Sequence, residues 1–187
     1  MATLKITNVR ISFPNLFEAK TVNGEGDPRF SAVFAVEPNS ANAKALTAAV
    51  DAVAKEKWGA KAAGVLGELK AKGRVAFQER PKTNASGEVY DGFEGMYSIN
   101  ASTKTRPVVR DADTSPLTAA DGKPYGGCYV DASVELWAQD NSWGKRINAT
   151  LRWVQFRADG EAFSGGTRVG DDEFAPITEG AFAEDLV

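Results

Sequence analysis

Two alternating stretches separated by a turn constrain the fold of this chain more than any other feature. In YVDASVELWAQ (residues 129–139) Val130, Ala132, Val134, Leu136 and Ala138 recur at every second position, and in RINATLRWVQF (residues 146–156) Ile147, Ala149, Leu151 and Trp153 do the same. A period of two over that many residues is the signature of half-buried strands, because successive side chains of a strand point to opposite faces. The intervening Asp140-Asn141-Ser142-Trp143-Gly144 has turn chemistry. The pair is therefore predicted as a hairpin with those four or five apolar side chains of each strand facing inward.

Further strands follow from the same logic. Leu4 and Ile6, then Val9 and Ile11, predict a strand over residues 3–13 that Pro14 and Asn15 end. A Gly-rich loop at residues 23–28 leads into RFSAVFAVEP, where Phe30, Ala32, Phe34 and Val36 share a face before Pro38. After Gly73 the period returns to two with Val75 and Phe77, and again in residues 93–104 with Tyr97, Ile99 and Ala101. Between these strands lies a helical insertion. Ser40 is its cap, Leu46, Val50 and Val53 fall on one face, and Gly59 closes it; a weaker helix is expected from about Ala60 to Lys72, interrupted by Gly64 and Gly67. Residues 110–127, rich in Asp, Pro and Gly, read as a long loop. Five or six antiparallel strands with one helical insertion predict a mainly β fold, a small sandwich or an OB-like antiparallel β-barrel.

The 187 residues suit one compact domain, and 43% apolar content suffices to fill its interior without staples. The chain contains no histidine. That excludes a Ser-His-Asp or Cys-His nucleophile, an imidazole base and every His-containing zinc site. Cys128 is the sole cysteine. It forms no internal disulfide, has no His to activate it, and is expected as a buried structural thiol. The run from Gly165 to Gly170 is spaced like a phosphate loop but is followed by Asp171 where a lysine is required. Asp111 and Asp113 resemble the start of a calcium loop, yet Pro116 and Gly122 occupy the places of its turn glycine and bidentate glutamate. No catalytic residue, metal or cofactor is predicted. No apolar run reaches the roughly 18 residues of a membrane span, and the N-terminus lacks a signal-peptide core.

Charge is polarised along the chain. Residues 171–187 hold six acids (Asp171, Asp172, Glu173, Glu179, Glu184, Asp185) and no base, which leaves 19 acids against 22 bases in residues 1–170. A body of +3 thus ends in a tail of −6, expected to be a disordered segment distinct from the folded domain of residues 1–170. Phe174, Ile177, Phe182, Leu186 and Val187 punctuate the acids, which suits docking better than solvation alone.

If the alternating apolar faces are buried, Arg74, Arg80, Lys104, Trp137, Arg146, Asn148, Arg152 and Phe156 emerge together on the outside. Bases beside aromatics are the ingredients for holding a nucleic-acid strand, by neutralising phosphates and by stacking under unpaired bases. Trp143 sits in the hairpin turn beside Gly144, Lys145 and Arg146. An exposed ring at such a tip wastes apolar surface unless something stacks on it.

The segments RISFPNLFEAK, PRFSAVFAVEP, YSINASTKTRPVVRDAD, GGCYVDASVELWAQDN and WGKRINATLRWVQFRADGEAF resemble a family of phage-encoded single-stranded DNA-binding proteins, with an OB-fold similar to that of T7-type phage proteins. The resemblance covers residues 4 to about 174, and the final hairpin is its most specific part. It implies binding of exposed single strands during phage DNA replication and recombination, without catalysis or cofactor, in the bacterial host cytoplasm and away from membranes. The strand groove would be lined by Arg74, Arg80, Lys104, Arg106, Lys145, Arg146 and Arg152, with Trp137 and Trp143 as stacking platforms. The acidic tail, with Phe182, Glu184, Asp185, Leu186 and Val187, would contact phage or host replication and recombination proteins. The departure is at the end, where Leu186 and Val187 stand in place of the terminal aromatic of T7-type proteins. The alternative is a phage structural β-domain of a tail or capsid, which would assemble into rings or tubes and ignore DNA. The pattern specifies no oligomeric state.

The charge arithmetic also predicts competition, because a tethered −6 tail is attracted to a basic groove at high effective concentration. Deleting residues 175–187 should tighten binding to oligo-dT at about 20 mM salt and far less at about 300 mM, where screening shrinks from roughly 20 to 6 Å. Equal affinity of the two forms at both salt concentrations would leave the tail as a tether only.

Overall fold

The computed structural model describes residues 1–22, 24–163 and 175–177. The expected tail contacts Phe182, Glu184, Asp185, Leu186 and Val187 and the glycine run Gly165 to Gly170 lie outside the described residues. Among the described residues seven strands make up one sheet: β1 (Ala2–Val22), β2 (Glu25–Val36), β3 (Phe77–Gln78), β4 (Tyr97–Thr103), β5 (Val108–Arg110), β6 (Tyr129–Asn141) and β7 (Gly144–Ala158), in the order β3-β4-β2-β1-β6-β7-β5. A further pairing of β4 with β7 makes β4, β2, β1, β6 and β7 a closed ring. Helices α1 (Ala41–Trp58) and α2 (Ala62–Ala71), joined by a 3-10 turn at Gly59–Lys61, are inserted between β2 and β3. The mainly β class with a helical insertion agrees with the patterning.

Strictly antiparallel pairing does not hold. Four of the five ring pairings are antiparallel and the β4–β7 pairing is parallel. The reason is parity: strand direction cannot alternate around a ring with an odd number of members, so one seam has to be parallel. β5 also pairs parallel with β7, further along the edge that pairs with β4.

The helical insertion follows its sequence signals. Ser40 Oγ accepts the N–H of Ala43 at 3.1 Å, and Leu46, Val50 and Val53 are buried. Gly59, at φ 54°, donates its N–H to the carbonyl of Lys55 and ends α1. Those apolar residues join the core formed by Ile6, Ile11, Phe34, Ile99, Leu136, Ile147 and Leu151 inside the ring. A second, small cluster of Val33, Ala35 and Phe93 lies apart from it, where Tyr90 and Met96 pack.

Strand boundaries and faces differ from expectation at three bulges. In β1, Ile6 pairs with Ala132 and Val9 with Val130, so Thr7 and Asn8 together oppose Asp131. This is why the apolar positions of the sequence step from even to odd there. Further on, Ser12 pairs with Val33 and Asn15 with Ser31, leaving Phe13 and Pro14 opposite Ala32. Pro14, which has no N–H to offer a ladder, is accommodated in the bulge, and the strand runs on to Val22 rather than stopping. Correspondingly β2 begins at Glu25, within the expected loop.

In β7, Ser133 pairs with Trp153 but Val134 with Leu151, so Arg152 is the extra residue. The inward set therefore changes from Ile147, Ala149 and Leu151 to Val154 and Phe156. Trp153, expected inside, is partly exposed, and Phe156, expected outside, is buried. Val75 makes only an isolated bridge to Ile147, and the strand expected after Gly73 shrinks to β3. Cys128 is fully buried as expected, and burial pushes its thiol up to about 11, so it stays protonated at neutral pH.

The backbone groups freed by the first bulge are satisfied by side chains. Asn42 of α1 accepts the Thr7 N–H at 3.1 Å and donates to the Thr7 carbonyl at 2.8 Å, while Asp131 accepts the Asn8 N–H at 2.8 Å. Asp131 is 8% exposed and also receives Arg157 Nη1 at 3.0 Å. Replacing it would strand a bulge amide and an arginine together. Asp131→Ala is expected to lower the unfolding free energy by about 3 kcal/mol in a urea titration.

Candidate nucleic-acid interface

The parallel seam is thinly bonded. Ser102 and Thr150 are the one pair in register between β4 and β7, and beyond them residues 74–76 enter between the two strands. Ala76 N–H donates to the Ile147 carbonyl at 2.8 Å, Ile147 N–H to the Arg74 carbonyl at 3.0 Å, and Asn100 N–H to the Ala76 carbonyl at 3.1 Å. The segment is suspended from the end of α2, where Arg74 N–H donates to the Leu69 carbonyl at 2.8 Å.

Over this seam lies a groove of about 430 Å³. Its walls come from β2, β4, β6, β7 and residues 73–82, and its charged lining residues are Arg29, Lys82 and Arg146, with no carboxylate among the described residues that line it. Trp137 lines it as well, half-buried, with its Nε1 donating to Thr150 Oγ1 at 3.0 Å. Amides and hydroxyls complete the surface. Asn148 Nδ2 donates to Gln139 Oε1 at 3.0 Å, and Asn100 Oδ1 is a buried acceptor without a donor among the described residues. Burial lowers the pKa of Lys82, because its ammonium is partly removed from water; a bound anion would offset that loss.

The hairpin tip stands beside the groove. Asn141 pairs with Gly144, so Ser142 and Trp143 form the turn. Asn141 Oδ1 accepts the Trp143 N–H at 2.9 Å, and Gly144 adopts φ 102°. A side chain at Gly144 would place its Cβ 3.0 Å from Arg74 Nη1, so glycine lets the guanidinium lie under the turn. Arg74 Nη2 is also 3.5 Å from the Trp143 carbonyl. Trp143 itself is 82% exposed.

Of the residues expected from sequence, Trp137 and Arg146 line the groove, and Arg74 and Trp143 meet at the adjacent tip. Arg80 borders a neighbouring hollow of about 190 Å³ and donates from Nε to Gln78, which borders both. Lys145 pairs with Asp140 in register near the tip. Lys104, Arg106 and Arg152 are engaged elsewhere. Lys104 Nζ is 2.9 Å from Asp27 Oδ2, whose pKa that hydrogen bond lowers; Arg106 donates to the Phe17 carbonyl at 3.1 Å; Arg152 reaches Ser133 Oγ at 3.4 Å. Trp153, turned out by the bulge, lies under Lys5 at 5.6 Å.

Sequence reasoning missed Arg29 and Lys82. Arg29 was findable, since its odd position in the alternating run opposes Phe30, Ala32 and Phe34. Lys82 lies in a segment without periodicity and had no such signal. Among the described residues there is no cluster of three potential metal ligands and no helix long and apolar enough to cross a membrane.

A model of the family described as "Enterobacter phage Enc34, ssDNA-binding protein" matches residues 2–187. Putative protein p50 of Acyrthosiphon pisum secondary endosymbiont phage 1 is 40% identical over 176 residues, 94% of each chain. The single-stranded DNA-binding protein of bacteriophage Enc34, solved in complex with ssDNA, superposes with a TM-score of 0.71 at 28% identity, covering 87% of this chain and 89% of that one. The single-stranded DNA-binding protein gp2.5 of bacteriophage T7 superposes with a TM-score of 0.54 at 11% identity, over 91% of this chain and 99% of that one, a likeness of fold alone.

The two tryptophans should separate in stability. Trp143→Ala is expected to change the unfolding free energy by less than about 0.5 kcal/mol, since the ring packs on little. Trp137→Ala should lower it by about 2 kcal/mol, because it removes half-buried ring surface and leaves Thr150 without its donor. Chemical denaturation of both variants checks the difference.

Proposed function

This chain belongs to the family of the Enterobacter phage Enc34 single-stranded DNA-binding protein, and from that membership we propose that it binds single-stranded DNA in the groove over the β4–β7 seam. The observation that carries the assignment of the site is the groove's lining: three cations, a tryptophan and uncharged polar groups, with no carboxylate among the described lining residues. Arg29, Lys82 and Arg146 neutralise phosphates, and Arg74 extends that path to the hairpin tip. Trp137 and Trp143 stack under bases. Such contacts are blind to base identity, since every base has a π-face and every nucleotide a phosphate, so binding is sequence-nonspecific. Arg80, Lys104, Arg106, Lys145 and Arg152 act outside the groove, by long-range attraction. Lys104 contributes least, because Asp27 already neutralises it.

The role is non-catalytic protection and presentation of strands in phage replication and recombination, with the acidic tail of residues 171–187 engaging partner proteins. The tail's charge and apolar punctuation support that division of labour.

Binding to oligo-dT, followed by tryptophan quenching, should show log affinity falling linearly with log salt at a slope of about −0.7 per phosphate neutralised. Arg146→Ala and Arg29→Ala should each make that slope shallower. Trp143→Ala should weaken affinity by about 1 to 3 kcal/mol, at unchanged stability. A salt-independent affinity, or rings and tubes that leave oligonucleotides unbound, would remove this reading.

A further inference from the structure

Phe13 has a backbone that an L-residue with a bulky side chain seldom adopts. Its φ is 49°, in the left-handed region, and its side chain is 46% exposed. Strain of this kind is held where the surrounding structure over-determines it, and it concentrates at binding sites. The bulge formed by Phe13 and Pro14 is the immediate cause, since bulges re-aim side chains. The ring does not escape into solvent alone: it meets Tyr90 edge-to-face, with centroids 4.9 Å apart and planes at 75°. In that geometry neither ring covers both faces of the other, so aromatic surface stays open.

The pair is continuous with the groove on both sides. Ser12 and Asn15, which flank the bulge, pair with Val33 and Ser31, and both of those line the groove. Tyr90 N–H donates to the carbonyl of Lys82 at 3.0 Å, beside an isolated bridge between Thr83 and Val89. Lys82 also lines the groove. Tyr90 is thus bonded to one groove-lining cation, and Phe13 projects from the strand that backs the β2 wall. Trp137 and Trp143 belong to β6 and its hairpin, at the other side of the seam. From β6, which carries Trp137, across β7, β4 and β2 to β1 there are four strand spacings, roughly 19 Å.

We propose that Phe13 and Tyr90 form a second stacking platform, which takes an unpaired base of a strand that has crossed the groove from Trp137 past Lys82. This rests on the single-strand reading of the groove and extends it: the site has an aromatic anchor at each end with cations between them. Its occupied length is then set by the distance between anchors, and the strained bulge is what keeps the far anchor outside the core.

The test uses the full chain with Phe13→Ala, Phe13→Gly and Tyr90→Ala, on oligo-dT of about 4 and about 16 nucleotides, the range of site sizes for such folds. Each variant should bind the long oligonucleotide about 5- to 150-fold more weakly, while affinity for the short one, satisfied by Trp137, changes much less. Phe13→Gly should melt no lower than Phe13→Ala, because glycine adopts φ 49° freely. Unchanged affinity of all variants for the long oligonucleotide would overturn the second platform and leave the groove reading standing. Equal losses at both lengths, with a lowered melting temperature, would also overturn it and assign the pair to the fold. A parent chain that binds neither oligonucleotide would strike the groove reading and this extension together.

Discussion

A closed ring of five strands cannot alternate direction throughout, and the parallel seam this forces is what the rest of the molecule is arranged around. Parallel neighbours joined without a tight turn need long crossovers, and β4 and β7 are separated by forty residues of chain. Their ladder is a single pair, Ser102 with Thr150, before residues 74–76 take over its hydrogen bonding. Those residues are carried there by α2, so the helical insertion is no ornament of the fold. It delivers the backbone that completes the ring, and in doing so places Arg74 under the β6–β7 tip and Gln78 between two hollows. A groove opens where the strands part.

Bulges do the second part of the work. The extra residue at Thr7–Asn8 costs three ladder groups, which Asn42 and Asp131 restore from α1 and β6, so that the insertion and the ring are tied at the same point. The bulge at Arg152 turns Trp153 out and Phe156 in, and the one at Phe13–Pro14 holds an aromatic ring at the surface. Each local irregularity decides which face a side chain serves from there on, since a slip of one residue exchanges the two faces of a strand.

Electrostatics separates groove from surroundings by pairing rather than by number of charges. Lys104 has Asp27, Arg157 and Lys5 have Asp131, and Lys123 has Asp111. Apart from those to the buried Asp131, these pairs add little stability, and all of them cancel the field a phosphate would feel. Among the described residues that line the groove there is no carboxylate, although Asp27, outside the lining, also feels the charge of Arg29. A net-negative chain therefore still presents a cationic channel.

The sequence by itself determined the elements and most of their inward residues. Alternation marked β2, β4, β6 and β7, Ser40 and Gly59 marked the ends of α1, and the step from Ile6 to Val9 already carried the bulge of β1. It also placed Trp137, Trp143, Arg74 and Arg146 on the surface as bases beside aromatics. Tertiary structure alone decided that Lys104, Arg106 and Arg152 are engaged away from the groove, that Lys82 lines it beside Arg29, whose outward face the alternation already carried, and that Trp153 and Phe156 exchange faces. The physical reason is range. A side chain's alternation is set by its nearest neighbours in the chain, whereas register across a bulge, the position of the parallel seam and the pairing of charges depend on partners tens of residues away.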